Sequence, residues 1–175
     1  MTTLQNFNKY FRIVPNRLTE ETKKQLLKLA NEKDAFVDIS YKISFFKFPS
    51  TIQKFNTTGL NCTCQMLRIN ESDSVIHKDK NRHNEFDGTY IPRQTVVSFP
   101  LTENSGVTHF YNDNKMFLCE ADYEGHGAIL NTGEYYHNVY FTKDNETRIV
   151  FQLCFEEAFN KVCSLYDKQL RSIMI

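Results

Sequence analysis

The chain has 175 residues, and its 21 basic residues (Lys plus Arg) balance its 21 acidic residues (Asp plus Glu). This length fits one domain with a sizeable core. The balanced charge argues against a purely electrostatic nucleic-acid binder, although a local basic groove is compatible with it. The longest apolar runs, such as residues 149–155, are too short to span a bilayer.

The cysteines and the N-terminal residues both bear on the compartment. Five cysteines, an odd number at scattered positions, predict reduced thiols rather than a disulfide framework. The first residues, MTTLQNFNKY, lack the charged, apolar and small-residue order of a signal peptide. We therefore expect a cytoplasmic protein. Neither a repeat nor a linker divides the sequence, so residues 1–175 are expected to form a single domain.

The N-terminal third mixes extended and helical patterns. Residues 9–14 predict a short strand, and the helix that follows is capped by Thr19 and carries an apolar stripe to about Lys33. Residues 35–48 alternate in polarity and predict one or two strands. Residues 51–61 predict a polar connection.

The rest of the chain reads mostly as short strands separated by Asn, Asp and Gly turns. Such regular punctuation predicts a sandwich or jelly roll. Residues 78–90 form the longest polar interruption and are expected to border a functional site. Residues 156–174 predict a closing helix. The predicted strands are 64–70, 94–101, 107–111, 116–121, 127–130, 135–141 and 147–155.

Three residues in this stretch have the chemistry of a metal site. His77 and Asp79 are two apart, so in an extended segment both side chains project to the same side. His137 lies near the start of a later predicted strand, 135–141, and supplies a second imidazole. Two imidazoles and one carboxylate form the facial triad that suits non-haem Fe(II) and leaves coordination positions open.

Arg148 follows His137 by eleven residues and opens an apolar strand. If a hairpin turn at residues 143–146 pairs the two strands, Phe141 faces Arg148 and His137 lies on the same side. The two functional ends are then roughly 13 Å apart, which an extended five-carbon diacid and an arginine side chain would fill. In this hypothesis the diacid chelates the metal and its far carboxylate pairs with the guanidinium.

The ordered set His77, Asp79, His137 and Arg148 resembles the 2-oxoglutarate/Fe(II)-dependent oxygenase superfamily, over roughly residues 64–155. Residues 107–111 are also similar to prolyl-hydroxylase-like members. The resemblance implies a mainly β fold, a double-stranded β-helix (jelly roll) spanning about 62–155. This core is flanked by an N-terminal strand and helix region (1–61) and a C-terminal helix (about 156–174).

The same resemblance implies an enzyme whose cofactors are Fe(II) and 2-oxoglutarate. The metal ligands would be His77, Asp79 and His137, and the far carboxylate of 2-oxoglutarate would bind Arg148. Arg148-Ile149-Val150 departs from the Arg-x-Ser of some branches, so Tyr111 or Thr108 is expected to supply the second carboxylate contact. The family reaction consumes dioxygen, releases CO2 and succinate, and usually hydroxylates its substrate, here a peptide or amino-acid side chain.

Other interpretations remain open at this point. His83 and Glu85 form a rival metal-binding pair deeper in the polar loop. A zinc site that activates water is compatible with the triad. The fold could also serve a cupin-like metalloenzyme without 2-oxoglutarate, or a non-catalytic binding or structural module. A nucleobase substrate would require a basic, aromatic-lined groove.

Overall fold

The computed structural model describes residues 9–40, 42–70 and 75–173. Extended segments dominate these ranges. The elements, in chain order, are β1 (Phe11–Val14), α1 (Glu20–Ala30), β2 (Phe36–Ser40), β3 (Ile43–Phe46), α2 (Pro49–Ile52), a 3-10 turn (Gln53–Phe55), β4 (Thr63–Asn70), β5 (Arg82–His83), β6 (Tyr90–Ile91), β7 (Thr95–Pro100), β8 (Gly106–Tyr111), β9 (Phe117–Ala121), β10 (Gly127–Leu130), β11 (Tyr136–Phe141), β12 (Thr147–Phe155) and α3 (Phe159–Ile173).

The helices follow from caps and apolar stripes. Thr19 caps α1 as predicted, because its Oγ1 accepts a hydrogen bond from the backbone N–H of Thr22 at 3.1 Å. The short helix α2 and the 3-10 turn after it fall partly within 51–61, where only a polar connection was expected. They form because Ile52 and Phe55 bury their side chains against the sheet, and Pro49 is well suited to the first helical position.

Two antiparallel sheets form the body of the protein. The larger has seven strands in the order β1-β10-β7-β12-β4-β3-β2, and the smaller has three in the order β11-β8-β9. A two-stranded ribbon, β5 with β6, interrupts the polar loop at residues 78–90. Strands β2 and β3 join the larger sheet through β4, so the N-terminal region extends the same sheet as the later strands.

The core has two layers, one on each face of the larger sheet. The outer layer lies between the sheet and the helices, where Phe151 and Leu153 of β12 pack with Leu26 of α1 and Val162 of α3. The inner layer lies between the two sheets. It is built from buried residues of β6, β7, β8, β10 and β12, among them Ile91, Val96, Phe110, Ala128, Leu130 and Cys154. This arrangement is a double-stranded β-helix, or jelly roll, with flanking helices, as the sequence predicts.

The predicted hairpin between β11 and β12 is wrong. Strand β11 pairs with β8 in the smaller sheet, whereas β12 pairs with β4 and β7 in the larger sheet. Residues 142–146 therefore cross from one sheet to the other. Ser105 holds this corner, because its hydroxyl accepts the backbone N–H groups of Thr142 and Lys143, both at 3.1 Å.

A search of the described ranges for a membrane-crossing helix found none with sufficient length and apolar character.

A candidate metal centre between the sheets

His77 and His137 meet across a single antiparallel bridge at the edge of the smaller sheet. The N–H of His77 donates to the carbonyl of His137 at 3.0 Å, and the N–H of His137 donates back at 2.9 Å. Directly paired residues project their side chains to the same face of a sheet. The two imidazoles therefore lie together, with ring centroids 4.5 Å apart.

Asp79 joins them from the same segment. It is two residues after His77, so it projects to the same side, and its backbone N–H donates to the carbonyl of Thr132 at 2.9 Å. Its Oδ1 lies 3.5 Å from Nε2 of His77 and 3.7 Å from Nε2 of His137. Within the described ranges, this trio forms the one group of metal-ligand side chains dense enough to hold an ion.

Hydrogen bonds fix the orientation of both imidazoles. Nδ1 of His77 donates to the carbonyl of Val75, and Nδ1 of His137 donates to the carbonyl of Tyr135 at 3.2 Å. Each ring thus bonds the carbonyl two residues earlier and turns its Nε2 towards Asp79. Such contacts select the tautomer whose Nε2 lone pair is free for a metal.

The donor set fits a divalent transition metal. Ligand bonds of about 2.1 Å at right angles place donor atoms about 3.0 Å apart, so small side-chain rotations would close the present gaps. The two imidazole nitrogens and the carboxylate oxygen would approach an ion from one side and leave its opposite side open. The three residues could therefore hold an ion that retains positions for exchangeable ligands.

Arg93 neutralises the carboxylate that faces the histidines. Its Nη2 donates to Oδ2 of Asp79 at 2.7 Å, and its Nη1 donates to Oε1 of Gln152 at 3.3 Å. Both charged side chains are almost fully buried, at 7% and 6% exposure. The contact occupies Oδ2 of Asp79 and leaves Oδ1 for a metal. Sequence reasoning missed Arg93, because an arginine after Pro92 in a polar loop carries no distinguishing signal.

The electrostatics favour a neutral His137 and an ionised Asp79. Burial alone would raise the pKa of Asp79, but Arg93 and the two imidazoles outweigh it and hold that pKa well below its usual range. Burial lowers the pKa of His137 to about 4, despite the opposing attraction of Asp79. For the more exposed His77, burial also favours the neutral form, but Asp79 prevails and raises the pKa.

The three residues line a cleft between the sheets, and Arg148 lines it as well. The cleft has about 560 Å³ of empty space, its solvent-open mouth included. Arg148 is 1% exposed and lies over the ring of Tyr123, 4.4 Å from its centroid. Its Nη1 donates to the carbonyl of Gly106, and its buried Nε has no hydrogen-bond partner among the described residues.

The two expected carboxylate contacts occupy different positions. Thr108 is buried and lines the cleft. Tyr111 is not among the residues that line the cleft, and its hydroxyl donates to Oδ1 of Asn138 at 2.9 Å. Tyr123 instead faces Arg148 and also contacts the hydroxyl of Ser98 at 3.2 Å. No sequence pattern marked Tyr123, because it lies in a turn between two strands.

The rival histidines lie elsewhere. His83 and Glu85 are exposed on the ribbon and its loop, outside the cleft. His109 stacks on Tyr140, with ring centroids 5.0 Å apart, and does not line the cleft either. His126 is exposed in a turn. The structure therefore brings together His77, Asp79, His137, Arg148 and Thr108.

Comparison with solved structures supports the fold assignment. HygX from Streptomyces hygroscopicus, solved with nickel, 2-oxoglutarate and hygromycin B bound, aligns with a TM-score of 0.54 at 11% identity. That alignment covers 84% of this chain and 83% of that one. SnoN, described as a non-heme alpha ketoglutarate dependent epimerase from nogalamycin biosynthesis, aligns with a TM-score of 0.51 at 12% identity. It covers 84% of this chain and 78% of that one.

A viral collagen prolyl hydroxylase from Paramecium Bursaria Chlorella virus-1 aligns at 15% identity over 83% of this chain and 88% of that one. Its TM-score of 0.48 is too low to support an inference about substrate. No protein-family model matches the sequence, and no curated protein matches it. At these identities the likeness to HygX and SnoN establishes the shared double-stranded β-helix fold.

Proposed function

We propose that this protein is an Fe(II)- and 2-oxoglutarate-dependent dioxygenase. The observation that carries the proposal is the placement of a buried arginine, Arg148, in the same cleft as a preoriented His77, Asp79 and His137. A buried guanidinium without an acidic partner is costly, so the cleft calls for an anionic ligand. HygX and SnoN, which share the fold, are described with 2-oxoglutarate bound and as alpha ketoglutarate dependent.

Each residue has a defined task in this proposal. His77, Asp79 and His137 hold the iron through Nε2, Oδ1 and Nε2, and Arg93 keeps Asp79 ionised and its Oδ2 occupied. Arg148 binds the far carboxylate of 2-oxoglutarate, and Thr108 donates its hydroxyl to the same group. Bound iron supplies the activation of dioxygen. The apolar residues that line the cleft exclude water from the reacting groups.

We infer that the reaction is a hydroxylation. One oxygen atom of O2 enters the succinate formed from 2-oxoglutarate as CO2 leaves, and the other becomes the hydroxyl on the substrate carbon. The substrate class we propose is a peptide or amino-acid side chain. We also propose that the chain acts as a single domain and works in the cytoplasm, since all five cysteines are free and reduced thiols persist there.

The test is an anaerobic titration of the purified protein with Fe(II) and then 2-oxoglutarate, followed in the visible region. A chelated keto acid on iron gives a charge-transfer band. We expect the band in the wild-type protein, its loss in His137→Ala, and a much higher 2-oxoglutarate requirement in Arg148→Gln. Iron binding without a band would favour a cupin-like enzyme that does not use 2-oxoglutarate. Absence of iron binding would favour a non-catalytic module.

A further inference from the structure

A second arginine near the site, Arg82, forms no salt bridge with any of the described acidic residues. Arg82 lies opposite Ile91 in the ribbon, so both side chains project to the same face, and Ile91 belongs to the core between the sheets. The guanidinium carbon of Arg82 is 3.6 Å from the ring centroid of Phe45, a residue that lines the cleft. Its Nε and Nη2 are buried, with no hydrogen-bond partner among the described residues.

A buried amide lies on the same inner face of the larger sheet. Gln65 of β4 is 0% exposed, and both of its side-chain amide atoms lack a described partner. It pairs across the sheet with Gln152, which lines the cleft and accepts a hydrogen bond from Arg93. Gln65 is also two residues before Leu67, which pairs with Phe45 beneath Arg82.

Charge in this region is unbalanced. Asp79 supplies the one carboxylate among the described residues that line the cleft, and its Oδ2 is taken by Arg93. Burial lowers the pKa of Arg82 to about 10, and the charge of Arg93 adds to this effect, against the weaker opposing attraction of Asp79 and Glu85. A single 2-oxoglutarate would match Arg148 and the metal, which leaves Arg82 without an anion.

Arg82 and Gln65 do not themselves line the cleft but adjoin its lining residues Phe45 and Gln152. We propose that these two residues form a second anion subsite beside the cleft, and that it binds a carboxylate or phosphate group of the substrate. This inference rests on the proposed function, because it assigns 2-oxoglutarate to Arg148. It favours a small acid, such as a free amino acid, as the substrate, and it disfavours an uncharged stretch of peptide. The guanidinium would pair with the oxyanion and the amide N–H of Gln65 would donate to it.

The experiment uses thermal denaturation of Ni(II)-loaded protein saturated with 2-oxoglutarate, where nickel replaces iron to prevent turnover. Acetate and inorganic phosphate are the anionic probes, and acetamide is the neutral control, all at constant ionic strength. At saturating anion we expect Tm to rise by roughly 5 °C in the wild type and not with acetamide. The stronger of the two anionic responses distinguishes a carboxylate from a phosphate.

Arg82→Gln should abolish this rise while retaining the Tm response to 2-oxoglutarate. The matched control is Arg17→Gln, which removes another arginine stacked on a ring, that of Tyr166 at 5.3 Å, in the core layer on the helix side of the larger sheet. It should behave as the wild type. An equal rise in Arg82→Gln, or no rise in any protein, would overturn the inference and leave water as the partner of Arg82.

Two further measurements distinguish a failure of the anion subsite from a failure of the proposed function and from a structural role of Arg82. If 2-oxoglutarate itself fails to raise Tm in the nickel-loaded wild type, the proposed function fails, whatever acetate does. The ligand-free Tm of Arg82→Gln should equal or exceed that of the wild type, because an unpaired buried charge is removed. A clear drop in that Tm would indicate a structural role and would also overturn the inference.

Discussion

The backbones of His77 and His137 bond to each other in both directions, at 3.0 and 2.9 Å. The proposed metal-ligand pair is therefore part of the sheet ladder. The ladder sets the separation of the imidazoles before any ion binds, and the Nδ1 contacts set their rotation. Such preorganisation lowers the entropy lost when a metal is bound.

Replacement of a proposed ligand should remove metal binding without unfolding the protein. We expect His137→Ala and His77→Ala to weaken Ni(II) binding by at least about 100-fold, the loss typical of a removed interaction of about 3 kcal/mol. Isothermal calorimetry measures the affinity, and circular dichroism checks the fold. His83→Ala, an exposed histidine outside the cleft, is the control and should bind as the wild type does. Stoichiometric, tight nickel in His137→Ala would remove that residue from the site.

Arg148→Gln should weaken the binding of 2-oxoglutarate and leave the binding of the metal almost unchanged. Loss of a buried charge-assisted pair should weaken 2-oxoglutarate by about 100-fold or more, because such contacts contribute about 1.5–3 kcal/mol each. Nickel affinity should change by less than about threefold, since Arg148 contacts none of the proposed ligands. The measurement is a calorimetric titration of nickel and then of 2-oxoglutarate. Equal diacid affinity in variant and wild type would refute the assigned role.

Gly106→Ala should displace the side chain of Arg148, because the added Cβ would lie too close to it. A Cβ at Gly106 would lie 2.6 Å from Oδ1 of Asn104, 3.0 Å from a ring carbon of Phe141 and 3.2 Å from Cδ of Arg148. We expect a lower Tm and weaker 2-oxoglutarate binding with nickel binding intact. Gly125→Ala is the control: its φ of +72° carries a backbone cost, but a Cβ there meets nothing within 4 Å. That control should lose some stability and no diacid affinity.

Arg93→Gln should destabilise the metal-free protein more than the metal-loaded protein. It leaves Asp79 buried without its cation, a change that costs about 3–5 kcal/mol. Urea denaturation measures the free energy of unfolding. Saturating Ni(II) should restore part of the loss, because the ion replaces the missing positive charge beside Asp79. A variant as stable as the wild type without metal would show that Asp79 is not held by this contact.

Gln65→Met should stabilise the protein, in contrast to most core substitutions. Both amide atoms of Gln65 are buried without described partners, so an apolar side chain of similar size should add about 1–2 kcal/mol of stability. Gln152→Met is the matched control in the paired position of the neighbouring strand and should destabilise, because it leaves Nη1 of Arg93 without an acceptor. Equal effects of the two substitutions would contradict this assignment of partners.

The strands of the larger sheet were the most predictable part of the fold. Strands β10 and β12 have the predicted bounds, because turn residues flank continuous apolar runs there. The prediction for residues 142–146 is wrong, since a short polar loop has the same sequence pattern whether it closes a hairpin or crosses between sheets. His137 and Arg148 still share the cleft because each projects from its own sheet into the space between them.

The residues around the proposed ligands are much harder to predict from the sequence. Gln65 and Gln152 did leave a signal, since each is a lone amide inside an apolar strand at directly paired positions. Single-strand patterns do not reveal such a pairing, because it depends on register between distant segments. Arg82 left none, because the inward face of the loop at 78–90 is created by the ribbon that folds over the sheet. Arg93 left none either, because it stands between this loop and the next predicted strand, where a polar residue is unremarkable.

The two ends of the proposed co-substrate site belong to different sheets, with the histidines at the edge of the smaller sheet and Arg148 on the larger. Their separation is set by the side chains packed between the sheets, such as Phe110 and Val96, which do not line the cleft. The length of diacid that the cleft accepts is thus determined by core residues that need never touch the ligand. A single methylene gained or lost in that core should change the preference between diacids that differ by one carbon.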